Sequence, residues 1–149
     1  MKKGLFVFMM CFFFSSTSIA GGGLDTFLDN LNIRADADLG GFCASVSAQF
    51  GVPEARVRVV LNDVRHPGDA FMVFQLGQFS RQPTDRVMAV YRNQKDKGWG
   101  VIAKELGIKP GSSEFHALKQ GEFNFDFKPS KDSGKEKGNG KGKGKAKKR

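Results

Sequence analysis

Apolar residues recur at helical spacing through most of this chain, in short windows closed by glycine or proline, and that pattern leaves little room for a sheet. Leu24, Phe27, Leu28 and Leu31 fall at i, i+3, i+4 and i+7, which places them on one helix face with Asp25 and Asp29 outside. Phe42, Val46 and Phe50 mark a second helix over residues 38–50, with Gly51 placed to stop it and Gly40 and Gly41 blurring its start. Pro53 opens a third, in which Val57, Val60, Leu61 and Val64 repeat the stripe. Residues 56–59 alternate as a strand would, but over four residues only. His66, Pro67 and Gly68 read as a turn, with Asp69 as the N-cap of the apolar run 70–79, the most buried helix expected. Pro83 and Thr84 start the next, with Val87, Val90 and Tyr91 inward. Trp99, Ile102, Ala103 and Leu106 give a further stripe ended by Gly107 and Ile108, and Ser112 caps a short helix carrying Phe115 and Leu118 up to Gly121. The expectation is an all-α fold, a small orthogonal bundle of six or seven short helices. Phe123, Phe125 and Phe127 alternate with polar residues instead, so this stretch is expected to lie extended along the bundle.

Two terminal segments depart from this pattern. Residues 1–20 begin with Lys2 and Lys3, continue through an apolar run rich in Phe, and turn small and polar from Ser15 to Ala20. They are expected to be a cleaved secretory signal peptide, because the apolar run is about half the ~20 residues that a membrane helix needs. Residues 128–149 hold nine Lys and one Arg against two acids, with five Gly. Such a segment buries too little apolar surface to offset its chain entropy and is expected to be a disordered tail. These two segments account for the net charge of +9, since residues 21–127 contain 12 cations and 13 anions. The folded part is nearly neutral and the positive charge is an appendage. Export to the periplasm or beyond the cell follows from the leader.

The reactive groups between the termini are few. Cys43 is the only cysteine left once Cys11 departs with the leader, and His66 and His116 are the only histidines. They are candidates for a thiol-dependent hydrolase only if folding brings Cys43 beside a histidine. A lone cysteine in an apolar stretch is more simply read as core packing. The absence of Cys-x-x-Cys-His excludes a c-type haem, no cluster has zinc-ligand spacing, and residues 98–100 lack the flanks of a phosphate loop. No metal or cofactor is expected.

The densest local pattern runs from Gly98-Trp99-Gly100 through Lys109-Pro110-Gly111-Ser112 to Glu114-Phe115-His116. On these residues the chain resembles a group of small, exported bacterial proteins of uncharacterised function, which implies an exported helical domain and brings no known activity with it. Trp99, Gly107, Pro110, Gly111 and Phe115 are its structural residues. Ala103, Gly107 and Ile108 also have the spacing of a helix-turn-helix, but Pro110 and Gly111 lengthen the turn and the second helix offers no Arg to a base or phosphate. Nucleic-acid binding through this hairpin and the tail is the third expectation. The first is a non-enzymatic interaction module. In that reading Lys128, Lys131, Lys135, Lys137, Lys141, Lys143, Lys145, Lys147, Lys148 and Arg149 grip a polyanion: lipopolysaccharide, acidic exopolysaccharide or extracellular DNA. The domain meanwhile meets another exported protein.

Overall fold

The computed structural model describes residues 22–131, so the expected leader and all of the tail beyond Lys131 lie outside the described residues. Within them the chain is all-α, with seven helices: α1 (Gly22–Ala37), α2 (Leu39–Phe50), α3 (Glu54–Asp63), α4 (Pro67–Ser80), α5 (Thr84–Gln94), α6 (Trp99–Glu105) and α7 (Ser113–Gln120). A 3-10 turn, Lys95–Lys97, links α5 to α6. No helix among the described residues is long and apolar enough to cross a membrane.

α4 is the central element, as its apolar run implies. Residues 70–74 and Leu76 are buried, and the helix packs against α1, α2, α3 and α5. Phe71 is its hub: its ring lies 5.3 Å from Phe27, 5.6 Å from Phe50, 5.7 Å from Phe123 and 5.0 Å from Phe125, centroid to centroid. Aromatic pairs of this kind contribute about 0.5–1.5 kcal/mol each beyond the burial of their area. The stripe residues Leu31, Val46, Val57, Val60, Val87, Val90, Ile102 and Leu118 complete the core from the other six helices.

The helix ends follow the local chemistry. Asp38 caps α2 by accepting the Gly41 N–H at 2.8 Å, Ser112 caps α7 by accepting the Phe115 N–H at 3.2 Å, and Ile108 N–H reaches back to Ala103 C=O at 2.9 Å to close α6. One expected boundary is corrected. α4 starts at Pro67 with His66 in the cap position, so Asp69 lies inside the first turn. Proline is suited to the first helical position because its fixed φ is already helical and its missing N–H needs no partner. Asp69 is thereby free to accept the Tyr91 hydroxyl at 2.8 Å.

The last described segment, residues 121–131, is an extended strap across the bundle. Phe123 packs on Phe27, Phe71 and Phe79, and Phe125 on Phe42 and Phe71, while Asn124, Asp126 and Lys128 are exposed. Docking continues past Phe127: Lys128 N–H donates to Ser45 Oγ at 2.8 Å, and Ser130 donates its N–H and its hydroxyl to the Asp38 carboxylate at 2.5 and 2.9 Å. The strap comes so near α2 that a Cβ on Gly41 would sit 2.8 Å from both Lys128 C=O and Ser130 N. The first and last helices also meet closely, since a Cβ on Gly23 or Gly121 would strike the main chain opposite.

Candidate functional site

The residues singled out in the sequence fall in separate places. Cys43 is fully buried on α2 as a free thiol, and burial pushes its pKa up, which disfavours the thiolate that a nucleophile needs. His66 is exposed at the start of α4, and His116 is exposed on α7. Trp99 is half-buried and stacks on Tyr91 with ring centroids 5.4 Å apart, so it serves the core. Gly107 and Gly111 take φ of 87° and 90°, Pro110 is exposed, and Phe115 packs on the core. Ala103, Ile108 and Leu118 hold α6 and α7 together by burial, as a structural hairpin requires. No three His, Cys, Asp or Glu side chains gather as a metal site among the described residues. Of the tail cations, Lys128 pairs with Asp126 at 3.6 Å and Lys131 is exposed, whereas residues 135–149 lie outside the described residues.

A polar network does form around Tyr91, the only tyrosine. Its hydroxyl donates to Asp69 and accepts the Arg65 N–H at 3.3 Å, and the Arg65 guanidinium pairs with Asp96 at 2.5 Å. Burial, helped by the bond to Asp69, pushes its pKa up to about 12. The tyrosine is 3% exposed, and its bond to Asp69 fastens α5 to α4.

One concave feature with unused polar groups is an open groove of about 670 Å³ between the strap and α2, lined by Ser45, Ala48, Gln49, Gln78, Asn124, Phe125, Asp126 and Lys128. Residues 45, 48 and 49 share one face of α2 at i, i+3 and i+4. The strap diverges from that face: it is bonded to α2 at Lys128 and Ser130, then leaves a gap toward Asn124. Among the described residues, no hydrogen bond is made by the side-chain amides of Gln49, Gln78 or Asn124, or by the main-chain N–H and C=O groups of residues 124–127. The sequence pointed to the strap through its alternating Phe, but gave no sign that α2 would be the other wall. The chain matches no family model, and no curated protein or solved structure is significantly similar to it.

Proposed function

We propose that this is an exported, non-enzymatic helical domain that presents an interaction surface to another protein while its basic tail holds it to anionic envelope or extracellular polymers. One observation carries the reading: the strap is bonded to Asp38 through Ser130, immediately before Lys131, so the segment that bears the cationic run is joined to the bundle at a fixed point. The domain behind it is charge-balanced, with 12 cations against 13 anions over residues 21–127, and Arg56, Arg65 and Arg92 are paired with Asp85, Asp96 and Asp63. The densest run of positive charge is residues 128–149, and a polyanion gripped there releases counterions without reading sequence or shape. Lipopolysaccharide, acidic exopolysaccharide and extracellular DNA are the candidate polymers.

The test compares the full chain with one ending at Lys131, which keeps the strap intact, on immobilised lipopolysaccharide, heparin and DNA across a salt series. The full chain is expected to be retained at low salt and released steeply as salt rises, and the shortened chain to pass through. Equal retention of the two overturns the proposal.

A further inference from the structure

We propose that the groove between the strap and α2 takes an extended peptide segment of a partner, added as a strand to the main chain of residues 124–126. The inference deepens the interaction-surface reading by naming the partner's chemistry, and it rests on that reading.

In an extended chain, main-chain groups two residues apart share one edge. Lys128 N–H and Ser130 N–H both point at α2, where they meet Ser45 and Asp38. The N–H and C=O groups of Asn124 and Asp126 therefore point the same way, and at those positions the groove replaces α2 as their neighbour. They form a short unpaired edge with a two-residue repeat, which is the repeat of another extended backbone. The far wall complements it: Gln49 and Gln78 carry side-chain amides with both a donor and an acceptor free, matching a peptide's outer edge. The bonds of Lys128 and Ser130 to α2 close one end, so the docking edge is short. Asp126 and Lys128 pair with each other on the rim, so the groove has no charge bias and favours an uncharged segment.

The experiment uses the full chain, labelled with ¹⁵N, and an array of short uncharged peptides at salt high enough to suppress the tail's electrostatic contacts. Because main-chain pairing is nearly blind to side chains, many peptides should bind, and the Asn124 and Asp126 amides should shift and become protected from exchange. N-methylation of a bound peptide at alternate residues should abolish binding in one register and spare it in the other. The Gln49→Ala, Gln78→Ala double variant should bind about tenfold more weakly, the effect of losing two net hydrogen bonds. Absence of binding across the array, or equal effects of N-methylation in both registers, overturns the proposal. So does a neutral N-acetylated oligosaccharide that moves these amides where peptides do not. Because the tail is suppressed throughout, failure here is distinct from failure of polyanion retention.

Discussion

The main-chain N–H of Lys128 donates to the hydroxyl of Ser45 at 2.8 Å, joining residues 83 apart in sequence. The same hydroxyl donates to Gly41 C=O at 2.7 Å within α2, so one buried side chain serves both the helix and the strap. Ser45→Ala leaves the Lys128 N–H without its acceptor and should cost about 1–2 kcal/mol. Urea denaturation checks the loss, and exchange of the Lys128 amide should quicken beyond what global destabilisation explains.

Two neighbouring glycines should respond in opposite senses. A Cβ at Gly40 meets Asp38 Oδ1 at 3.6 Å and Ser130 Cβ at 3.8 Å, ordinary contacts, whereas one at Gly41 meets strap main chain at 2.8 Å. Gly40→Ala should stabilise by up to ~1 kcal/mol through helix propensity. Gly41→Ala should destabilise by about 1–3 kcal/mol as α2 or the strap shifts to make room. Thermal denaturation of both variants measures the contrast, and a stabilised Gly41→Ala would contradict the tight strap.

Phe71 contacts four other rings from the middle of α4. Phe71→Ala should cost about 3–5 kcal/mol, the range for emptying a large buried site. Phe115→Ala, at a half-buried position on α7, should cost clearly less by the same denaturation measurement.

Tyr91 titrates alone and beside the only tryptophan. Its folded pKa of about 12 lies above the unfolded value near 10, so the protonated phenol is the form the fold favours. The stabilisation is full below about pH 10 and is lost as pH rises toward 12, because the unfolded chain ionises first. Phenolate absorbance should show a midpoint near 12 in the folded protein and near 10 in urea. Tyr91→Phe should remove this part of the alkaline stability loss while costing about 1–3 kcal/mol at neutral pH, where Asp69 and the Arg65 N–H lose their partner.

Cys43 should resist thiol reagents in the folded state and react only on unfolding, measured in a Cys11→Ser background. Rapid labelling of the native chain would return a Cys43 nucleophile to consideration.

The helices were legible because their signals are local. Spacing at i, i+3 and i+4 identified the buried faces, and Gly51, Gly107, Ser112 and Gly121 marked ends through chemistry that acts within one turn. The start of α4 is not legible in this way, because Pro67-Gly68 has the composition of a turn, whereas Gly68 is buried where its N–H donates to Asn32 Oδ1 at 2.7 Å. That contact joins α4 to α1 and has no local signature. The close of α4 follows from the end of the apolar run at Phe79, although Arg81 takes a left-handed φ of 55° where glycine is the usual marker. For the strap, alternation of Phe and polar residues fixed which side faces in, but nothing nearby tells that Ser45 and Asp38 receive it. The groove depends on that pairing, and so it was not readable at all.

The placement of the strap after all seven helices has a consequence for timing. Phe27, Phe42 and Phe71 belong to the first half of the sequence, yet their covering rings, Phe123 and Phe125, are synthesised only after every helix. Gly23 and Gly121 likewise bring the two ends of the bundle together. A nascent chain still lacking residues 121–130 cannot complete its core, and closing so long a loop delays folding. For the export proposed here, a chain whose strap is still undocked is unstitched and threadable, the open form that passage across a membrane requires.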